Sequence, residues 1–400
     1  MSAAAAPDSK LPVHAGPHGI RYDFNDGCRV ALPPGQWRVR MRDVDTGNIL
    51  FDQAMTGGMM TSSKRFYVRF GLEIWKDDVS VFSQVYAAED RIVMVKMELG
   101  GLGDHIAWVG AVDAFAARHR CVMLCRVRPD IRPLLQKAYP HIRFVTNADP
   151  DPADCYASYK VLVFYNDHHN LYQPTDYRFA GLCHTASYIL GVPPIDRRPL
   201  FLPDQDRRPI AEPYVCIATQ ASSQNKYWNN PHGWPEVISF LKAQGYRVIC
   251  IDQNTVNGRG IVWNHIPHGA EDQTGSRPLD ERVNWLRHAA FFVGLSSGLA
   301  WLAWAAGIPA VMISGFTHPL NEFQTPFRVI NWHACNSCSN DLRHELDPSD
   351  FLWCPRHKDT PRAFECTRLI TAEQVIRAIR SVPDFGSPAA PLTVAEAAAR

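Results

Sequence analysis

Apolar and polar positions change their rhythm along this chain near residue 91. Before it, Trp37-Arg-Val-Arg-Met-Arg, Asn48-Ile-Leu-Phe-Asp and Phe66-Tyr-Val-Arg-Phe alternate apolar with polar side chains, and Gly-Asn, Gly-Gly and Asp-Asp separate the runs. Strict alternation buries one face and wets the other, which predicts a small antiparallel β unit. From Ile92 onward, solid apolar runs alternate with helix-length segments, the pattern of a parallel doubly wound sheet. Strands are expected at Ile92–Leu99, Cys121–Val127, Ile142–Val145 and Val161–Tyr165, with helices over 104–118, 129–138 and 177–190. Prolines at Val192-Pro-Pro, Arg198-Pro-Leu, Leu202-Pro and Arg208-Pro then forbid a continuing helix. A second set follows: strand Tyr214–Ala218, helix 234–244, strand Arg247–Asp252 and helix 280–289.

The uncharged stretch from Ala289 to Thr317 is long enough to cross a bilayer. Gly294-Leu-Ser-Ser-Gly298 and Gly307-Ile-Pro309 punctuate it with turn signals. A buried strand–helix–strand unit is the better account: Phe291–Gly294, Leu299–Ala306, Ala310–Ser314. The predicted division is an N-terminal β domain (1–91), a first Rossmann-like lobe (92–195), a second lobe (196–383) with an insertion at 331–368, and an Ala/Pro-rich tail (384–400). Two such lobes leave a cleft between their strand ends.

Composition changes little in this picture. An apolar fraction of 46% supports sizeable cores, and a net charge of +1 gives no reason to expect nucleic acid or an anionic membrane as partner. The N-terminus lacks the apolar core of a signal peptide, and several of the eleven cysteines lie in apolar strand-like runs. A cytoplasmic protein with reduced thiols is expected, without membrane insertion.

Candidate chemistry gathers at strand ends. The Ile92 strand runs into Gly100-Gly101-Leu102-Gly103-Asp104-His105, where glycines let backbone approach a ligand and Asp104 faces the crevice. Asp is also a favoured helix cap. The turn has neither the G-x-G-x-x-G order of a dinucleotide site nor the ending of a P-loop. In the second lobe, the polar loop Thr219 to Lys226 and the turn Ser296-Ser297-Gly298 both precede helices, whose free N–H groups suit phosphate. Lys226 adds a charge for the same anion. Taken with Asp104 across the cleft, they suit a nucleotide diphosphate. Trp301 and Trp304 read as core. Cys335-Asn-Ser-Cys338, with Cys354 and Cys366, supplies four thiolates for a closed, structural metal site, with zinc the choice of composition alone.

These motifs together resemble the bacterial autotransporter heptosyltransferases, relatives of the lipopolysaccharide heptosyltransferases with a GT-B fold. The resemblance rests on the Gly100–His105 turn, the Thr219–Lys226 loop, Gly294-Leu-Ser-Ser-Gly298 with Ala306-Gly-Ile-Pro309, and the four-cysteine insertion. It implies an α/β GT-B protein that passes heptose from ADP-glycero-manno-heptose to serine hydroxyls of an autotransporter adhesin's passenger segment, with inversion. Asp104 would be the catalytic base. Gly101, Leu102, Gly103, Thr219, Lys226, Ser296, Ser297, Gly298 and Trp301 would line the substrate site, with Asp252 a candidate for the ribose hydroxyls. Iron in the cysteine site, no catalytic metal, and a dodecamer are further implications, with the β domain helping to hold the acceptor. One departure stands out: the lipopolysaccharide enzymes carry Asp-Thr-Gly and a histidine where this chain has Ser296-Ser297-Gly298 and Trp301.

Three rivals make different predictions. A lipopolysaccharide-core heptosyltransferase would show a basic amphipathic face near the cleft, and no such run is visible. A non-catalytic, metal-dependent assembly protein would not notice the loss of Asp104. A nucleotide-dependent oxidoreductase would bind a dinucleotide.

Overall fold

The computed structural model describes residues 11–386, so the first ten residues and the tail from residue 387 lie outside the described part. The change of rhythm near residue 91 corresponds to a change of architecture. Trp37–Asp43 is the central element of a four-stranded antiparallel sheet in the order Ile49–Met55, Trp37–Asp43, Phe70–Lys76, Val79–Val85. Trp37, Val39 and Met41 are buried on one face, while Arg38 and Arg40 on the other reach Asp52 at 2.7 and 2.9 Å. The predicted alternation is therefore a true inside–outside pattern.

Not all of the N-terminal segment stands apart. Arg21–Asn25 pairs in parallel with Ala157–Lys160 of the first lobe, and Arg29–Leu32 and Gly58–Thr61 extend the same sheet in antiparallel. The lobe's own strands run Arg143–Val145, Val122–Arg126, Ile92–Lys96, Ala157–Lys160, all parallel. Three helices accompany them: α1 (Leu102–His119), α2 (Arg132–Ala138) and α3 (Leu182–Ile189).

One predicted strand is corrected. Val161–Tyr165 is apolar enough to read as a strand, yet the ladder covers Ala157–Lys160 instead. The neighbouring strand ends at Lys96, so beyond Val161, whose N–H still reaches the Lys96 carbonyl at 3.0 Å, no ladder partner remains. Phe164 turns to the Gln173 side chain, which takes both backbone groups at 3.3 and 2.7 Å.

The second lobe is a six-stranded parallel sheet: Glu271–Asp272, Arg247–Cys250, Tyr214–Ala218, Phe292–Leu295, Ala310–Ile313, Arg328–Val329. Its helices α4 (Gly233–Ala243), α5 (Leu279–Arg287) and α6 (Gly298–Ala306) lie where apolar periodicity puts them. The uncharged 289–317 stretch is the expected buried β-α-β unit. Among the described residues no helix is long and apolar enough to cross a membrane.

The lobes meet at the N-terminal ends of α1 and α6. A Cβ on Gly103 would lie 2.6 Å from Cδ1 of Trp301, and one on Gly298 would lie 3.0 Å from the Leu102 Cβ. Neither glycine has a positive φ; each is needed because two helix ends pack against one another with no room for a side chain.

Candidate active site

A cleft of about 920 Å³ opens between the lobes, in the size range of a nucleotide-sugar site. Its walls carry Gly101, Leu102, Gly103 and Asp104 from the first lobe, and Lys226, Asp252, Ser296, Ser297, Gly298 and Trp301 from the second. The tertiary fold thus brings together segments separated by up to two hundred residues.

Asp104 stands in the first turn of α1. Gly101 at the N-cap donates its N–H to Asp104 Oδ2, so the capping function is real and occupies one oxygen. Among the described residues no hydrogen bond engages Oδ1, and Asp104 lines the cleft. Gly100 has φ +108°, and a Cβ there would sit 3.0 Å from Asp104 Oδ2. Both conditions call for glycine. The surrounding walls desolvate the carboxyl and raise its pKa above the usual aspartate range, opposed by the Gly101 N–H and the charges of Lys226 and Arg128. A carboxylate kept basic with one free oxygen is what a general base needs. His105, fully buried, braces the turn from behind: its ring nitrogens lie 3.0 Å from the Gly101 carbonyl and 2.7 Å from the Met97 carbonyl.

Lys226 closes a short 3-10 turn, Gln224–Lys226, and its ammonium lies 5.7 Å from the Phe316 ring centroid. Burial lowers its pKa and Asp104 raises it, the first effect prevailing. Asp104 is the charged group that acts on it. Ser297 is the N-cap of α6, yet its hydroxyl makes no capping bond and is buried without any hydrogen-bond partner. An orphan hydroxyl at a helix N-terminus, in a cleft whose walls also carry Lys226, suits phosphate oxygens. Ser296 Oγ lies 3.2 Å from Thr317 Oγ1. Thr317 in turn bonds Glu322, a buried carboxylate that also holds Ser314 Oγ at 3.0 Å and pairs with Arg328.

Two expected contacts are placed differently. Asp252 is 1% exposed, and its oxygens accept from Thr219 N at 2.7 Å, Thr219 Oγ1 at 2.9 Å and Gln220 N at 3.2 Å. It anchors the Thr219–Lys226 loop from beneath, with its carboxylate already engaged. Trp301 is buried against Gly103, Trp304 and Phe323, and serves as the floor of the seam. Sequence reasoning passed over Arg128, Tyr165, Tyr177, Arg282 and Glu322, which also line the cleft. Arg128 follows a strand end and could have been found by the rule that found Asp104. Arg282 and Glu322 lie mid-helix and in a loop, where nothing in the sequence marks them.

The cysteine insertion folds beside this cleft. Cys335, Cys338, Cys354 and Cys366 are all free thiols, and the last three are buried. They are close enough that Cys335, Cys338 and Cys354 add to burial in pushing the Cys366 thiol up. Cys335, His357 and Glu365 offer ligand atoms that all lie within 4.8 Å of one another. The four sulfurs do not form such a group on their own.

Comparison with known proteins agrees with this geometry. Residues 16–78 match the family described as Glycosyltransferase TibC, N-terminal domain, and residues 197–344 match Glycosyltransferase family 9 (heptosyltransferase). The chain is 51% identical to the autotransporter heptosyltransferase BAHTCr of Citrobacter rodentium, over 92% of this chain and 90% of that protein. It is 50% identical to the autotransporter heptosyltransferase TibC of Escherichia coli, over 91% and 90%. A crystal structure of TibC, described as a dodecameric iron-containing heptosyltransferase in complex with ADP-D-β-D-heptose, superposes with a TM-score of 0.89 at 48% identity, over 94% of this chain and 98% of that one. BimC of Burkholderia thailandensis, named an inactive autotransporter heptosyltransferase, is 42% identical over 94% of this chain and 89% of that protein.

Proposed function

This chain belongs to the autotransporter heptosyltransferases, GT-B-like glycosyltransferases that modify autotransporter adhesins, and we propose that it transfers heptose from ADP-glycero-manno-heptose to serine hydroxyls of an adhesin passenger. An inactive relative exists, so membership alone does not carry activity. The observation that carries it is Asp104, with a single hydrogen bond to its carboxylate, in one cleft with Lys226 and Ser297 of the other lobe.

The chemistry follows from that opposition. A serine hydroxyl is a weak nucleophile until its proton is removed in the transition state, and Asp104 would remove it, a contribution of roughly two to four powers of ten. Attack on the anomeric carbon from the side opposite ADP inverts that centre. Negative charge then grows on the departing diphosphate, where Lys226 and the N–H groups at the start of α6, with Ser296 and Ser297, stabilise it. Gly101, Leu102 and Gly103 would shape the sugar end of the site. Thr219 and Asp252 would hold the loop beneath the nucleotide, and Trp301 the seam.

The insertion's donor set fits a thiophilic ion: four free thiols, one of them (Cys338) within a small buried cluster, with His357 and Glu365 beside Cys335. Cys335, Cys338, Cys354 and Cys366 would hold it, as iron by analogy with iron-containing TibC, and it would supply local order instead of chemistry. A dodecamer, a cytoplasmic site of action, and acceptor or subunit contacts through residues 1–91 complete the reading, the first by the same analogy. The test is the intact mass of a passenger fragment after incubation with this protein and ADP-heptose. Additions of whole heptosyl units are expected; none, from folded and metal-loaded protein, would overturn the reading.

A further inference from the structure

Lys226 is not held by its own lobe's sheet alone. The neighbouring Asn225 is 4% exposed, and its Nδ2 donates to the Trp353 carbonyl at 3.0 Å. The Gln224 N–H donates to the Phe351 carbonyl at 2.8 Å. Beneath the ammonium of Lys226 lies Phe316, whose ring meets that of Trp353 edge to face at 5.6 Å. Trp353 immediately precedes Cys354. Phe316, Cys338 and Trp353, with Leu346 against them, form a small apolar cluster of their own.

So small a cluster lies far below what orders a long segment by burial alone. Regular structure within the insertion amounts to the turn Cys338–Asn340 and the single helical turn α7 (Glu365–Arg368). Ion pairs of Asp341 with Arg356 and of Glu365 with Arg362, and the Arg178 contact to the Leu342 carbonyl, also tie this segment down, and ligation of the cysteines would add to that order. The side chain proposed to meet the diphosphate is thus fastened to the segment that carries the four thiols.

We propose that Asn225 is a positioning residue, through which the cysteine insertion fixes Lys226, so that metal held by the cysteines and diphosphate bound in the cleft stabilise one another. This rests on the functional reading above for the diphosphate at Lys226. Coupling between two sites is reciprocal. If the insertion orders Lys226, an anion on Lys226 must tighten binding of the metal.

The experiment uses the full-length protein as isolated, with a colorimetric chelator competing for the metal to equilibrium and ADP as the probe. ADP is expected to raise the metal affinity, and so lower the metal released to the chelator at equilibrium, by a factor of about five or more, the usual span of a coupled pair of sites. Asn225→Ala should keep its metal content and far-ultraviolet dichroism, bind ADP about tenfold more weakly by calorimetry, and lose the protection by ADP. Asn225→Asp, which keeps the size and removes the donor, should behave alike and stands in if the alanine variant does not fold. Equal release with and without ADP in the unmodified protein overturns the proposal. So does unchanged ADP affinity and protection in the folded variants, or a protein that holds no metal. Heptosyl transfer is measured alongside: its absence strikes the functional reading, whereas transfer without protection strikes the coupling alone.

Discussion

Asp104 and Asp252 each lie just beyond the carboxyl end of a parallel strand, both are desolvated, and both have pKa values raised by burial. Their fates differ in what surrounds the oxygens. Asp252 is enclosed and receives two N–H groups and a hydroxyl from Thr219 and Gln220, with the Cys250 thiol a further donor at 3.3 Å. Asp104 lines the cleft and receives one N–H, from Gly101. The first carboxylate is fully engaged by its own lobe, and the second is the one proposed as the base. The same residue type at the same topological place becomes chemistry only when the fold declines to satisfy it.

That contrast can be broken most sharply at Asp104. Asp104→Asn should reduce kcat by about two to four powers of ten while leaving ADP affinity near the native value, measured by single-turnover heptosyl transfer and calorimetry. The same variant should be no less stable. An acid whose folded pKa is raised loses favourable folding energy as pH rises through that value, and the amide escapes this loss. A clear drop in melting temperature would mean that Asp104 is an anchor too.

Removing the opposing charge comes next. Lys226→Ala is expected to lower kcat about a hundredfold or more and to weaken ADP binding, because a preorganised cation on the leaving group is lost. An unchanged rate would move leaving-group stabilisation to the helix terminus.

For Asp252→Asn the expected signature is reversed. An amide nitrogen would face the Thr219 and Gln220 N–H groups, costing about 1–3 kcal/mol of stability. The melting temperature should fall by several degrees with a smaller loss of kcat. A large kcat loss at native stability would return Asp252 to the substrate side.

The smallest effect is the pH profile. On the proposed mechanism, activity requires Asp104 ionised and Lys226 protonated. The rate should fall as pH drops through a value above the usual aspartate range, and fall again as pH rises through one below the usual lysine range. A profile of kcat/KM whose acid limb lies at an ordinary aspartate value would contradict the desolvated setting of Asp104.

Much of this was legible in the chain. The strand Tyr214–Ala218 and the helices α1, α4, α5 and α6 fall close to where apolar periodicity places them, because each buries a face set by local spacing. The glycine turn ending in Asp104 was legible for a related reason: in an open parallel sheet, strand ends meet the ligand crevice. Other features were written there and passed over. The helix α8 (Ala372–Arg380) begins with a Thr371–Gln374 capping box, its two bonds 3.3 and 2.8 Å long. The hairpin Val256–Arg259 to Val262–His265 turns at Gly260 and keeps Gly258 because a Cβ would lie 2.1 Å from the Val262 carbonyl.

By itself the sequence determined most of the helix and strand segments, the glycine turn before Asp104, and which residue types are available for chemistry. These follow from local sterics and periodicity, which act over a few residues. The tertiary structure alone decided that the strand near Val161 ends where its neighbour ends, that Asp252 is engaged by a loop 33 residues away, and that Asn225 meets Trp353 across 128 residues. Each of those outcomes depends on which donors arrive from distant parts of the chain, and no local pattern encodes the arrival.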